Sequence, residues 1–269
     1  MQKGKNKIPR SRLILAFDIE KAGQRASDPI LALGAIVMDQ NFNEIDSLFL
    51  PCYFPNDTKF DQKCWDEFWS TKSDLLNKIK YEGPMTQHDR IRDVIKSFQE
   101  FRARWETFAL RNNIDYYFVS DTNVNDAEAI NQAIHNYFPD DMPIPFSASK
   151  KEYSDFINVS DFQRGFLMAI DPNFNGQWGM TQRIIDLFEV PPRARKVDHN
   201  PVNDAYGIAY DFNVLLGIKN KRIVPKNTSN KIIRKVRTTR ATDNVSIFNV
   251  VGYTMAFAAL GYYVYSKWH

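Results

Sequence analysis

Two acidic residues stand directly after the first predicted strand. The apolar run at 12–17 leads into Asp18 and Glu20, and side chains two positions apart on a strand project to the same face. Carboxylate oxygens are the ligands that Mg²⁺ and Mn²⁺ prefer. The pair therefore indicates a cation site, although the same spacing at Asp126 and Glu128 keeps a solvated strand end as the alternative.

His199 and Asp204 form a second pair, which is distinguished by its local setting. Two other histidines of the chain also have an acid five residues later, so the spacing itself is not distinctive. Here, however, Asn200 is a good N-cap and Pro201 fits the first position of a helix. The residue before an N-cap and the fourth helical residue approach each other. A histidine and a carboxylate at those two positions favour catalysis over packing.

Asp126 lies in the first turn of a helix that follows the buried strand at 116–119. The helix dipole favours an acid there, so capping is one role for this residue. If the strand lies beside the first one, Asp126 lies at the same edge of the sheet as Asp18. Four carboxylates and one histidine would then converge.

The elements that must position these residues alternate between strand and helix. Apolar runs at 31–38 and 47–50 predict two more strands, so the sheet begins antiparallel. The apolar residues of 89–111 recur with helical spacing and predict a long helix over the sheet. The later strand at 116–119 and helix at 124–137 are typical of an α/β fold. Further elements are predicted as a strand near 156–159 and helices near 181–188 and 201–216.

Charge is unevenly distributed along the chain. Residues 1–12 carry +5 and residues 219–240 carry +9, whereas the body at 13–218 carries −11. An acidic body is a poor clamp for duplex DNA, because non-specific binding of DNA relies on many lysine and arginine contacts with phosphate. It is well suited to holding divalent cations. The sequence shows no Gly-rich phosphate-binding loop and no internal repeat.

The segment at 247–265 has no charged residue across 19 positions, close to the ~20 that a membrane-spanning helix needs. We expect a C-terminal transmembrane helix that acts as a tail anchor; a segment for oligomerisation and a buried core helix are the alternatives. Nine basic residues precede it and one follows, which predicts that the catalytic domain faces the cytosol. A reducing location also fits Cys52 and Cys64, which are too few for a disulfide framework. We expect no signal peptide at the N-terminus, because the apolar run at 13–17 is too short for one and is followed by acids.

Three motifs, in this order, resemble those of the DEDDh (DnaQ-like) 3′→5′ exonuclease family, which has the ribonuclease H-like fold. They are FDIE at 17–20, VSDTNVNDAEAI at 119–130 and HNPVND at 199–204. The phrase DPILALGAIVMD is similar to the second strand of that family. The resemblance covers roughly residues 12–216. It implies a ribonuclease H-like mixed sheet flanked by helices.

By this resemblance, the protein hydrolyses phosphodiester bonds at the 3′ ends of single-stranded RNA or DNA. Asp18, Glu20, Asp126 and Asp204 would be the metal ligands of two Mg²⁺ or Mn²⁺ ions. His199 would be the general base that takes a proton from the attacking water.

Asp121 is a rival for the acid of the second motif. The family pattern places that acid seven residues after Val119, which selects Asp126. One departure is that Asp121 and Thr122 stand where the family often has His-Asn, which bears on how the substrate is contacted.

The residues that bind substrate are less well defined by the sequence. Three basic residues could hold phosphates or form a solvated loop: Arg193, Arg195 and Lys196. Three aromatic residues could stack bases or cap the core: Trp65, Phe68 and Trp69.

The expected organisation is a basic arm at 1–11, an exonuclease domain at 12–217, a polybasic linker at 218–245 and a membrane anchor at 246–266. The basic stretch at 219–240 could contact anionic lipid or feed nucleic acid toward the site. Two functional alternatives stay open. One is a catalytically inactive, membrane-anchored nucleic-acid binding module, and the other is an exonuclease for proofreading or DNA repair rather than RNA processing.

Overall fold

The computed structural model describes residues 11–52, 58–121, 126–138, 156–171, 173–176, 179–196 and 198–226. Within these ranges no helix is long and apolar enough to cross a membrane. The predicted anchor and most of the predicted basic linker lie outside the described residues.

The chain divides into two compact units. The described residues up to 138, together with 156, 157 and 195–210, belong to the first unit. Those of 158–194 and 211–226 belong to the second.

Across the described residues, five strands form one mixed sheet in the order β3-β2-β1-β4-β5. The strands are β1 (Arg12–Lys21), β2 (Ile30–Asp39), β3 (Glu44–Pro51), β4 (Asp115–Ser120) and β5 (Phe156–Asn158). β1 pairs antiparallel with β2, β2 pairs antiparallel with β3, and β4 runs parallel to β1. The sheet therefore begins antiparallel, as predicted, and its flanking helices fit a ribonuclease H-like α/β fold.

The core of the first unit lies where two helices, α3 (Gln87–Arg111) and α4 (Glu128–Tyr137), cover the sheet. Phe17 on β1 is fully buried, and its ring centroid lies 5.1 Å from those of both Phe98 and Phe118. Burying such large apolar side chains contributes roughly 1.5–3 kcal/mol each. β1 is therefore held firmly against these helices, and Asp18 is the residue of β1 that follows Phe17.

The long helix α3 starts slightly before its predicted beginning at Asp89. The Thr86 hydroxyl accepts a hydrogen bond from the backbone N–H of Asp89 at 3.1 Å and caps the first turn. Phe108, predicted on the apolar face, is 45% exposed. In the last turn the buried position is Ala109, which is fully buried, rather than Phe108.

Three short elements follow β3 in the first unit, and the sequence did not predict them. They are α1 (Gln62–Glu67), a 3₁₀ turn (Trp69–Thr71) and α2 (Ser73–Ile79). Elements of three to seven residues are too short to show a helical period. The indole N–H of Trp69 donates to the backbone oxygen of Lys21 at 2.9 Å, which fastens this segment to the end of β1.

The second unit is helical in its described part. It contains α5 (Val159–Ile170), α6 (Met180–Leu187) and the C-terminal part of α7 (Pro201–Lys219). The predicted helices near 181–188 and 201–216 are thus present. α5 was not predicted, although apolar residues at positions 159, 162, 166, 167 and 170 follow a helical period.

Candidate active site

Asp18 and Glu20 lie near the end of β1, where the regular pairing with β2 breaks between Glu20 and Lys21. Glu20 is 9% exposed and Asp18 is half-buried. Alternation along the strand directs both carboxylates to one face. The first predicted pair is therefore held on the central strand of the sheet.

Gly34 on β2 is the strand partner of Asp18, and it permits a close approach by α7. A Cβ atom at position 34 would lie 2.2 Å from the carbonyl carbon of Pro201 and 2.3 Å from the nitrogen of Val202. The backbone of the first turn of α7 thus rests against the backbone of β2. This contact brings the start of α7 close to Asp18.

The start of α7 has the predicted capping geometry. The helix begins at Pro201, and the side-chain oxygen of Asn200 accepts a hydrogen bond from the backbone N–H of Val202 at 3.0 Å. The next turn follows because the N–H of Asp204 donates to the backbone oxygen of Asn200 at 2.9 Å.

Asp204 folds the preceding segment back over the helix start. One of its carboxylate oxygens accepts hydrogen bonds from the backbone N–H groups of Asp198 (3.1 Å) and His199 (3.2 Å). Its other oxygen lies 3.9 Å from Nδ1 of His199. His199 itself has a positive φ of 62°, a backbone conformation that residues other than glycine rarely adopt.

The structure brings three of the five predicted residues into ligand distance of one another. One side-chain ligand atom from each of Glu20, His199 and Asp204 lies within 4.8 Å of the others. These residues come from positions far apart in the sequence, on β1 and at the start of α7. The arrangement could hold a metal ion with two carboxylates and one imidazole.

Asp126 joins the site from the other side of β1. It is 6% exposed, lies two residues before the start of α4, and accepts a hydrogen bond from the Ser120 hydroxyl at 2.9 Å. Because β4 is parallel to β1, the ends of both strands meet at the same edge of the sheet.

The pKa values of these acids are raised by burial and by the negative charges of their neighbours. Burial raises the pKa of Asp18 well above its usual value, and the negative charges of Asp126, Glu20 and Asp204 raise it further. Burial, followed by repulsion from Asp204 and Asp126, raises the pKa of Glu20 to about 8. Burial also raises the pKa of Asp204, although His199 partly offsets this effect.

A cluster of mutually repelling carboxylates, two of them buried and two half-buried, fits a site for divalent cations. Bound cations would offset the burial and the repulsion that raise these pKa values, and oxygen donors are the ligands that Mg²⁺ and Mn²⁺ select. The cluster consists of the four carboxylates that the sequence predicts as metal ligands.

Three of these carboxylates, those of Asp18, Glu20 and Asp126, line a cleft of about 260 Å³, and the rival acid Asp121 lines it as well. Phe68 lines this cleft, and its ring meets that of His199 edge-on at a centroid distance of 4.6 Å. Trp69 is 1% exposed and caps the core, whereas Trp65 is 38% exposed. The three aromatic residues thus have different surroundings, and Phe68 is the one that contacts a predicted catalytic residue.

Lys21 also lines the cleft, and sequence reasoning missed it. It is buried, and its ammonium group donates to the backbone oxygen of Arg25 at 3.0 Å. Burial lowers its pKa, although Asp126 and Asp28 act in the opposite direction. The one signal in the sequence was its position next to Glu20.

The three basic residues before His199 have different surroundings. In the second unit, Arg193 forms an ion pair with Asp211. In the first unit, Arg195 lies 2.6 Å from Glu44, and Lys196 is exposed. Both arginines are therefore held by acidic partners.

No protein-family model matches the sequence, and no match was found among curated proteins. Several solved structures that the chain resembles are exonucleases. The nuclease domain of 3′hExo, a DEDDh family member bound to rAMP, is 10% identical, with 83% of this chain and 99% of that chain covered and a TM-score of 0.44. E. coli exonuclease I in complex with a 5cy-dT13 oligonucleotide is 15% identical, with 78% of this chain and 41% of that chain covered and a TM-score of 0.40.

A 3′-exonuclease that recognises the 3′ end of a histone mRNA stem-loop is 10% identical, with 82% of this chain and 93% of that chain covered and a TM-score of 0.44. The chain spans less than half the length of exonuclease I. At these identities and TM-scores the likeness assigns neither family nor activity. The functional proposal therefore rests on the residues of the site.

Proposed function

We propose that this protein is a metal-dependent 3′→5′ exonuclease that hydrolyses phosphodiester bonds at the 3′ ends of single-stranded nucleic acid. The observation that carries the proposal is the clustering of four carboxylates and one histidine. Asp18, Glu20 and Asp126 line one cleft, and ligand atoms of His199 and Asp204 lie within 4.8 Å of Glu20. These residues come from β1, the residues before α4 and the start of α7. Because these segments are far apart in the sequence, chance is a weak explanation for their proximity.

The carboxylates of the cleft would hold Mg²⁺ or Mn²⁺, and two ions per site are part of the proposal. Asp18, Glu20, Asp126 and Asp204 supply the oxygen donors that such ions require. When bound, the ions would make water a stronger nucleophile and stabilise the negative charge on the leaving 3′ oxygen.

His199 would accept the proton of the attacking water. Its imidazole is exposed, so water and substrate can reach it, while the carboxylate of Asp204 lies 3.9 Å from its Nδ1. A negative charge at that distance stabilises the protonated imidazole that forms when the water loses its proton. Phe68 packs against the ring edge-on and limits its movement.

The charge of the chain supports a single-stranded substrate. A net charge of −11 on residues 13–218 disfavours the many phosphate contacts that duplex binding requires. A single 3′ end needs only a short stretch of strand to enter the cleft.

The test is to incubate the full-length protein with 5′-labelled single-stranded RNA and DNA in the presence of Mg²⁺, Mn²⁺ or EDTA. We expect a ladder that shortens from the 3′ end, and we expect EDTA and the Asp18→Asn substitution to abolish it. Asp186→Asn changes an exposed acid on α6 and is the matched control. Preference for one sugar would separate RNA processing from DNA repair or proofreading.

The alternative function makes a different prediction in the same assay. A catalytically inactive nucleic-acid binding module would bind the oligonucleotides without shortening them under any metal condition. That result, obtained with folded protein, would overturn the enzyme proposal.

We also propose that residues 247–265, which lie outside the described residues, tether the protein to a membrane with its catalytic domain facing the cytosol. The proposal is supported by 19 uncharged residues preceded by a basic stretch that could lie on anionic lipid headgroups. Carbonate extraction of membranes from expressing cells tests it. Release of the full-length chain into the supernatant would contradict the tether.

A further inference from the structure

We propose that Arg195 is a positioning residue for His199, acting through an ion pair with Glu44 and a chain of hydrogen bonds to the His199 segment. The inference rests on the proposed function, because it takes His199 to be the residue that accepts a proton. It assigns to Arg195 a role other than holding substrate phosphates.

The guanidinium of Arg195 joins a strand to a helix within the first unit. One of its nitrogens lies 2.6 Å from a carboxylate oxygen of Glu44, the first residue of β3. Another donates a hydrogen bond to the side-chain oxygen of Asn203 on α7 at 3.2 Å. The Arg195 side chain is 34% exposed and that of Glu44 is 27% exposed. This partial burial weakens competition from water for both contacts.

Asn203 carries the connection onward to the segment before α7. Its side-chain amide donates to a carboxylate oxygen of Asp198 at 2.8 Å. The same oxygen lies 3.3 Å from the backbone N–H of Asn200, which also donates to it. The residues on both sides of His199 are therefore linked to the Asp198 carboxylate, and this carboxylate is linked to Arg195 through Asn203.

The backbone of His199 requires such support. Its φ of 62° places it in a left-handed conformation that costs free energy for a residue with a Cβ atom. The hydrogen bond from its N–H to Asp204 holds this conformation from one side, and the chain from Arg195 holds it from the other. Without the second support, we expect the segment to relax and the imidazole to leave its place beside Asp204.

Glu44 separates this role from phosphate binding. If Arg195 held a substrate phosphate, the neighbouring carboxylate would oppose binding, and neutralising Glu44 would strengthen it. If Arg195 holds the segment, neutralising Glu44 weakens the anchor and lowers turnover. The two roles thus predict effects of opposite sign for the same substitution.

The first experiment compares Arg195→Met, Glu44→Gln and the double variant on a single-stranded oligonucleotide. Arg104→Met is the matched control, because Arg104 forms a similar ion pair with Asp46 on β3 that is not connected to His199. We expect both single variants to lower kcat by roughly 10-fold, with KM within about twofold of the wild type. The double variant should be no worse than the more impaired single variant, and the control should be unchanged. A raised KM for Arg195→Met together with a lowered KM for Glu44→Gln would overturn the proposal.

The second experiment asks whether Arg195 acts through His199. In the His199→Gln background, Arg195→Met should cause no further loss of kcat, because the group that it positions is absent. A residue that merely stabilises the fold would lower kcat by the same factor in both backgrounds. An additive result would therefore contradict the positioning role.

The third experiment needs no activity, so it separates failure of this inference from failure of the proposed function. Amide hydrogen exchange measured by NMR at Asp198 and His199 should accelerate in Arg195→Met and Glu44→Gln but not in Arg104→Met. Unchanged exchange would overturn the inference even in an active enzyme. If the wild type shows no nuclease activity, accelerated exchange would still establish the anchor while the catalytic proposal fails.

Discussion

His199 is the residue whose role depends most on how the site works. Its ring nitrogen lies within ligand distance of Glu20 and Asp204, so the geometry permits it to bind a metal ion as well as to accept a proton. In the proposed function it accepts a proton. The two roles predict different dependences of activity on the metal concentration.

We expect His199→Ala to lower kcat by roughly 10²–10⁴-fold, the usual contribution of general-base catalysis. The Mg²⁺ concentration that gives half-maximal activity should stay the same, because the carboxylates remain. A titration of activity with Mg²⁺ measures both values. His88→Ala is the control, since His88 also precedes an acid by five residues but lies on α3. An increase in the required Mg²⁺ concentration would instead identify His199 as a ligand.

Individual residues also show what the sequence could not reveal. The local capping pattern of Asn200 and Pro201 was sufficient to predict the approach of His199 to Asp204. The partner of Arg195 was not predictable, because Glu44 lies 151 positions away and no local pattern links the two residues. Long-range ion pairs depend on the finished fold, so phosphate binding and a solvated loop had both remained open for Arg195.

At the scale of elements, the long and strongly patterned ones were predictable. β1, β2, β4, α3 and α7 each bury a continuous run or a periodic face, which the sequence displays directly. The short helices α1 and α2 were missed, although the segment that they frame contributes Phe68 and the wall of the cleft. These short helices are held by tertiary contacts such as the hydrogen bond from Trp69 to the backbone of Lys21. Such contacts produce no periodic pattern in the sequence.

The contact between β2 and α7 makes a prediction about Gly34. Gly34→Ala would place a methyl group 2.2 Å from the backbone of Pro201, so α7 has to move away from the sheet. We expect a loss of roughly 1–3 kcal/mol in the free energy of unfolding. Activity should fall by roughly 100-fold, because a shift of about 1 Å separates Asp204 from Asp18. Urea unfolding and initial rates under folded conditions measure the two effects, and near-normal activity would contradict the close approach.

In the second unit, the pair between Asp171 and Arg183 makes a prediction about pH. Burial alone would raise the pKa of Asp171, but hydrogen bonds from the Arg183 guanidinium and the Asn173 backbone N–H lower it below the usual value. A carboxyl group whose pKa is lowered by folding contributes stability above its unfolded pKa and loses it as the pH falls through the folded pKa.

We therefore expect Asp171→Asn to lower the free energy of unfolding by roughly 1–3 kcal/mol at pH 7. The difference from the wild type should shrink as the pH falls below about 4, where Asp171 in the unfolded chain becomes protonated. Urea unfolding between pH 3 and 7 measures it. The exposed Asp186→Asn should change stability by less than about 0.5 kcal/mol. A difference that grows toward low pH would show that the sign is wrong.

At the scale of the whole molecule, the acidic body and the basic stretch at 219–240 present a problem for a nucleic-acid enzyme. The body carries −11, a charge that includes the carboxylates of the site, so a phosphate backbone is repelled on approach. The stretch at 219–240 carries +9 with no acid. Either it attracts the strand toward the cleft, or its charge is occupied by anionic lipid.

Replacing Lys231, Arg234, Lys235 and Arg237 by glutamine separates these two roles. If the stretch attracts the strand, KM should rise while kcat stays the same, because the cleft is untouched. The slope of log KM against log salt should also become shallower, by about 0.7 for each phosphate of a single strand that is no longer neutralised by a basic side chain.

If the stretch serves lipid, KM and its salt dependence should stay the same, and binding to vesicles containing phosphatidylserine should fall by about 1 kcal/mol per charge removed. We expect the first outcome, because an acidic body that acts on a polyanion needs a source of positive charge.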